Sequence, residues 1–309
     1  MADIKMRRVI ALGFFDGVHL GHAELIKRTK EVAIAGETYP SVLSFDTHPD
    51  VLVKGVNVQL INNAVARTEI LKRLFGIDDV VYLHFNESMR RMPWREFVEI
   101  IIEEICAAHI VVGHDFRFGY KGEGTAKLLL DYCTERGVGC DIIPEVKLDG
   151  ITVSSTYIRE LIRDGNIACA NRFLGHPHVL VDTVRYGYKF GRTIGVPTIN
   201  MRFPDGVLIP KHGVYATKVY LEDGEHIAVT NIGVRPTVGG QDSVSVESFI
   251  LDFEGNLYGR QVKVEFFCFL RAEMKFEGVD SLKAQILTDA EMTRAFFEEF
   301  FGADRGYIR

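Results

Sequence analysis

The chain has 309 residues, 47% hydrophobic and 25% charged, which suits a globular protein large enough for two domains. A formal net charge of −6 excludes a general nucleic-acid binder, and no stretch reaches the roughly 20 apolar residues of a membrane span. The apolar run after the basic N-terminus is too short for a signal peptide, and five cysteines without paired metal spacing read as reduced thiols of a cytoplasmic protein.

Taken in order, the first half alternates short apolar runs with helical periodicity. Residues 9–12 read as a buried strand, followed by a glycine-punctuated turn and a helix over 23–35. Residues 41–45, 80–83, 109–113 and 139–144 read as further strands, and 62–75, 97–105 and 125–136 as helices. In the helix over 62–75, Val65, Ile70, Leu71 and Leu74 share the apolar face, and Pro93 suits the first turn of the next helix. This alternation predicts an α/β domain, a doubly wound parallel sheet with helices on both faces. Ligands of such sheets sit at the carboxyl ends of the strands. The turns at 13–22, 46–49 and 113–119 fall at such ends and are expected to converge on one crevice.

Short helices over 157–164 and 167–174 follow, and 175–178 reads as a linker. Beyond it, strands over 179–184, 213–221, 226–231, 244–251 and 261–270 run in series. Turns at Asp223-Gly224, Gly239-Gly240 and Glu254-Gly255 divide them, and a helix over 281–301 ends the chain. Strands without crossover helices predict a small antiparallel β-barrel with a terminal helix. The expected domains are therefore 1–178 and 179–309. The sequence carries no signal for an oligomeric state.

Two stretches of the first half carry phosphate chemistry. Gly13-Phe14-Phe15-Asp16-Gly17-Val18-His19-Leu20-Gly21-His22 joins a strand to a helix through glycines. Unpaired N–H groups at a helix start carry partial positive charge, and glycines let an anion approach the backbone. His19 and His22, three apart, share one side of the first helical turn and can donate to phosphate, and a shared anion favours their protonated form. An isolated H-x-G-H reads equally as two surface histidines. In Ser154-Ser155-Thr156-Tyr157-Ile158-Arg159, the hydroxyls of Ser155 and Thr156 stand at a helix start, with Arg159 as a forked donor. Alone, that stretch reads as a capped helix with a surface arginine.

The second half has its own set. Gly187-Tyr188-Lys189-Phe190-Gly191-Arg192 is a glycine-rich turn, and Pro197-Thr198-Ile199-Asn200 follows it. Thr198 and Asn200 are two apart on an extended segment, so they face the same way and offer neutral oxygens to a hard cation. Ile199 points the other way. Glu247, in a strand, is either a solvated outward residue or a base in a barrel mouth.

Residues 13–22 resemble the signature of the H-x-G-H nucleotidylyltransferases and, more narrowly, the N-terminal module of the prokaryotic bifunctional riboflavin kinase/FAD synthetases. Residues 154–159 resemble the S-S-T-x-I-R element of that superfamily. Residues 45–49 and 112–119 resemble its crevice elements, with Thr125 where an acidic residue is common. Residues 197–200 resemble the P-T-A-N motif of riboflavin kinases, and 231–237, 247–253, 257–259 and 269–276 resemble other kinase elements. The ordered matches span nearly the whole chain.

The resemblance implies two activities. The barrel would phosphorylate riboflavin to FMN with ATP and Mg²⁺, and the α/β domain would transfer AMP from a second ATP to FMN, giving FAD and pyrophosphate. It implies Glu247 as the base on the ribityl hydroxyl, Thr198 and Asn200 as Mg²⁺ ligands, and Arg271 as a flavin contact. Gly187, Lys189, Gly191 and Arg192 would cover the kinase ATP. For adenylyl transfer it implies His19, His22 and Arg159 as charge-stabilising groups and Gly13, Phe14, Asp16, Gly17, Asp115, Ser155 and Thr156 as ATP contacts. Asp46 and Pro49 would touch the flavin. The rival readings are a single live activity, a flavin-binding regulator, and an adenylyltransferase for another phosphate acceptor. No helix-turn-helix or basic patch supports a nucleic-acid partner for a regulator, and the second half argues against another acceptor.

Overall fold

Val9 and Ala11 face one side of the opening strand, Arg8–Leu12, and Ile10 and Leu12 the other; all four are buried. A strand apolar on both sides must be covered on both. In the computed structural model, which describes residues 6–187, 190–235 and 243–302, this strand is the centre of a five-stranded parallel sheet. The strand order is Asp79–Leu83, Tyr39–Phe45, Arg8–Leu12, Ala107–Gly113 and Gly139–Ile143. Val9, Ala11, Val42 and Val111 pack against Leu25, Ile26, Ala33, Ile70 and Leu71. Ile10, Leu12, Leu43, Ile110 and Val112 pack on the opposite face against Phe97, Val98, Ile101, Leu129 and Cys133. The sheet is doubly wound, and the order reverses between Arg8–Leu12 and Ala107–Gly113, the switch point where such sheets bind ligands.

Local details depart from the sequence reading. Val65 and Leu74 are exposed, while Ala66, Arg67, Ile70 and Leu71 of the helix Ala64–Phe75 turn inward. The helical spacing holds, but the buried stripe includes an arginine, so apolar periodicity alone misplaced it. The helix expected over 97–105 divides into Trp94–Glu99 and a wider turn, Ile100–Glu104, and Pro93 caps it from outside. Two helices, Pro49–Lys54 and Glu87–Arg91, are too short to show periodicity in sequence.

By proximity the chain divides into two compact units, residues 1–60 with 67–154, and residues 61–66 with 155–309. The second unit is built on a six-stranded antiparallel sheet. Its order is His178–Thr183, Gln261–Arg271, Gly213–Leu221, Gly224–Arg235, Ser243–Ile250 and Thr198–Met201. Arg185, just past the first of these strands, bridges to Asn200 in the last, its N–H donating to the Asn200 carbonyl at 2.8 Å. That single bridge brings the two ends of the sheet together at one point and curls it into a half-barrel. Tyr215, Thr217, Val219, Thr230, Ile232, Val246, Ser248, Val264 and Phe266 alternate onto one face and are fully buried. Their hydroxyls form a chain, Thr217 to Thr230 and Thr230 to Ser248, each 2.7 Å. The other face carries the terminal helix, Val279–Gly302, with Phe297 against Phe267 and Ala290 against Val214 and Val229. The helix Ile167–Leu174 docks through Asn171, which donates to the Phe266 carbonyl and accepts from the His178 N–H, both at 2.8 Å.

His178 is buried between Phe203 and Phe266, with neither ring nitrogen hydrogen-bonded among the described residues. Burial, helped by His176, pushes its pKa from 6.5 down to about 3. Between those values the unfolded chain binds a proton that the folded chain refuses, so stability falls as pH falls through that window. His178→Phe is expected to flatten this loss. Calorimetric melting temperatures should drop less for the variant than for the native chain across the window, and equal slopes would refute the assignment.

Candidate functional site

The turn after Leu12 is held in an unusual backbone path. Phe15, Gly17 and Val18 have φ of 60°, 79° and 43°. A β-branched residue there costs about 1–3 kcal/mol and persists only when its surroundings hold it. Phe15, Asp16 and Val18 are all buried. The turn delivers His19 as the N-cap of the helix Leu20–Ala35, its Nδ1 accepting from the His22 N–H at 3.4 Å. The two imidazoles stack with centroids 3.7 Å apart and planes 14° apart. His22 Nδ1 is buried and has no hydrogen-bond partner among the described residues. Burial first, then the neighbouring His19 and Arg67 charges, push the His22 pKa well below the usual histidine value. These surroundings disfavour the charged form of the ring.

Arg67 is the residue that sequence reasoning missed. It is fully buried and donates to the Phe14 carbonyl, to Ser44 Oγ at 3.0 Å and to the Phe45 carbonyl at 3.0 Å. Its guanidinium also lies 4.3 Å from the centre of the Phe14 ring. It thus ties the ends of Arg8–Leu12 and Tyr39–Phe45 together beneath the histidine turn. The available signal was a lone arginine three and four residues before Ile70 and Leu71, on the stripe that must be buried.

The other expected residues of this unit also stand at strand ends. Gly13 donates its N–H to the Leu43 carbonyl at 3.2 Å. Asp46, just past Tyr39–Phe45, pairs with His84 Nδ1 at 2.6 Å and the Phe85 N–H at 3.1 Å. Partial burial raises its pKa, but these two partners outweigh that and hold it below the usual carboxylate value. Pro49 opens the helix Pro49–Lys54, whose cap, His48, meets the Phe14 ring edge-on at 4.5 Å. Asp115 follows Ala107–Gly113, across the switch point from the histidines. Thr125 caps the helix Ala126–Glu135 by accepting from the Leu128 N–H at 3.2 Å. Ser155, Thr156 and Arg159 stand on the helix Ser155–Arg163 of the second unit, with Ser155 as its first residue.

The second unit holds a cavity of about 460 Å³, lined by the barrel and the terminal helix. Strand register explains its lining. Asn200 lies opposite Glu247, Glu247 opposite Asn231, Asn231 opposite Val214, and Val214 opposite Arg271. One row across five strands thereby puts four polar side chains on a common face, all of them in the cavity wall. Thr198, Phe249 and Val229 form the adjacent row. Ile199 alternates to the opposite face and does not line the cavity. Glu247 is half-buried and lines the cavity on the face that the terminal helix covers, a choice that alternation within one strand cannot reveal.

Asn200 Oδ1 is buried and accepts no hydrogen bond among the described residues. An orphaned acceptor costs about 1–3 kcal/mol unless something occupies it. With Thr198 it offers neutral oxygens that suit Mg²⁺ keeping several waters and nucleotide phosphates. Among the described residues no cluster of three His, Cys, Asp or Glu could hold a metal alone. A Cβ on Gly187 would lie 2.5 Å from Asn200 Nδ2, and one on Gly191 would strike the Val196 carbonyl and sit 3.5 Å from Thr198 Oγ1. Only glycine lets position 187 press against Asn200 and position 191 against the Val196 carbonyl. The segment forms a short helix, Phe190–Thr193, where a turn was expected. Lys189 lies outside the described residues, as do Pro236 and Thr237, and Arg192 is described only in its backbone.

Two family models match the chain, one described as FAD synthetase over residues 2–157 and one described as riboflavin kinase over residues 174–297. A bifunctional riboflavin kinase/FMN adenylyltransferase of Listeria monocytogenes is 36% identical, covering 94% of this chain and 93% of its own. One of Bacillus subtilis is 32% identical, with coverage of 95% and 93%. A crystal structure described as a macrolide-efflux protein from Streptococcus pneumoniae matches at TM-score 0.83 and 32% identity, over 94% of each chain. Among the described residues of the present chain, no helix is long and apolar enough to cross a membrane.

Proposed function

The chain belongs to the bifunctional riboflavin kinase/FMN adenylyltransferase family, and from that premise we propose a division of labour between its halves. Residues 179–309 phosphorylate riboflavin to FMN, and residues 1–178 transfer AMP from ATP to FMN, giving FAD and pyrophosphate. The observation that carries the kinase half is the single row of Asn200, Glu247 and Asn231 along one cavity, with Thr198 beside it and two glycines pressed against it.

In the kinase step Glu247 takes the proton of the terminal ribityl hydroxyl as its oxygen attacks the γ-phosphorus of ATP, and ADP leaves. Thr198 and Asn200 would hold Mg²⁺, which when bound neutralises charge on the ATP phosphates. Gly187, Gly191, Lys189 and Arg192 cover the nucleotide, and Arg271 contacts the flavin. The protein's share of such transfer is positioning and electrostatics.

In the adenylyl step the FMN phosphate is itself the nucleophile. It is already anionic, since a phosphate monoester has a second pKa of about 6. It attacks the α-phosphorus and pyrophosphate leaves. His19 and His22 stabilise charge on the α-phosphate, and Ser155, Thr156 and Arg159 receive the leaving pyrophosphate. Gly13, Phe14, Asp16, Gly17 and Asp115 hold the ATP, while Asp46 and Pro49 address the flavin. His22 Nδ1, buried and without a hydrogen-bond partner among the described residues, supports this reading, because an entering phosphate oxygen would satisfy it.

Chromatography of a reaction containing riboflavin, ATP and Mg²⁺ tests the whole scheme. FMN should appear first and FAD after it, and excess EDTA should suppress both. Unchanged riboflavin would overturn the kinase assignment. FMN that never becomes FAD would overturn the adenylyl assignment and leave a single live activity.

A further inference from the structure

Asp289 lies on the terminal helix, is 1% exposed, and belongs to the cavity wall together with Arg271. It binds Arg271 through both oxygens. Arg271 Nε donates to Oδ1 at 2.9 Å and Nη2 to Oδ2 at 2.7 Å. Gln285, one turn earlier, donates Nε2 to the same Oδ1 at 2.9 Å, which fixes the carboxylate in turn. Arg271 Nη1 donates to the Ala272 carbonyl at 3.0 Å. Three of the five guanidinium N–H groups are thereby used to set the plane, and the other two make no hydrogen bond among the described residues. Arg271 also ends the cross-strand row that begins with Asn200 and Glu247.

We propose that Asp289, with Gln285 behind it, is the positioning residue that aims Arg271 at the substrate in the phosphoryl-transfer cavity. The terminal helix is then a working part of that site rather than only a cover for the barrel. An unrestrained arginine must freeze its long side chain when substrate arrives, whereas a forked carboxylate freezes it beforehand. An ion pair serving stability alone has no need to stand in the cavity wall.

The inference rests on the kinase reading of the cavity, and a double-mutant cycle separates the two. Asp289→Asn keeps the side-chain shape but gives up one acceptor oxygen and the charge. Arg271→Lys keeps a cation opposite Asp289 but has no fork to aim. In the native background Asp289→Asn should lower kcat/KM for FMN formation about tenfold, the scale of one charge-assisted hydrogen bond. In the Arg271→Lys background it should cost less than about twofold. An equal loss in both backgrounds, no loss in either, or a barrel that unfolds in Asp289→Asn by thermal melting would overturn the proposal. If the native chain makes no FMN, the kinase reading falls and takes this inference with it. If the native chain makes FMN and the cycle is additive, this inference alone is wrong.

Discussion

Glu247→Gln is expected to abolish FMN formation from riboflavin while leaving conversion of supplied FMN to FAD intact. The substitution preserves the shape of a side chain that lies between Asn200 and Asn231 in register and removes only its basicity. General bases contribute about 10²–10⁴-fold, so FMN formation should fall by that factor. The two products are measured separately, with riboflavin or with FMN as the starting flavin. Loss of both activities would show that the substitution disturbs the whole chain, and an undiminished kinase rate would remove Glu247 from the mechanism.

His22→Ala should do the reverse. FMN should accumulate from riboflavin and ATP, and its conversion to FAD should slow about 10²–10³-fold, the usual cost of one group that stabilises developing charge. The packing around His22 makes the expectation specific. The ring lies 3.7 Å from His19 in a stack and carries a buried nitrogen without a polar partner among the described residues. Burial and the charges of His19 and Arg67 lower its pKa and disfavour its charged form. FAD formation at the native rate would show that the ring serves packing alone.

The parallel sheet was legible because its strands are apolar on both faces and its helices keep a 3.6-residue period, both local properties of the chain. The H-x-G-H turn was legible for a related reason: strand, glycines and helix start are consecutive. The short strand Thr198–Met201 was visible only as two residues facing one way, since four residues show no periodicity. Arg67 was not legible, because its partners are carbonyls and a hydroxyl from Phe14, Ser44 and Phe45, distant in sequence.

The sequence by itself determined the α/β half, the series of antiparallel strands, and the motifs of both halves, because each depends on neighbours within a few residues. Which face of a strand meets the terminal helix was decided only by tertiary structure, and with it the setting of Glu247. Alternation in one strand is symmetric between its two sides, and only pairing with other strands and with the terminal helix breaks that symmetry. The same holds for Arg271 and Asp289, eighteen residues apart, whose meeting requires the helix to fold back across the barrel.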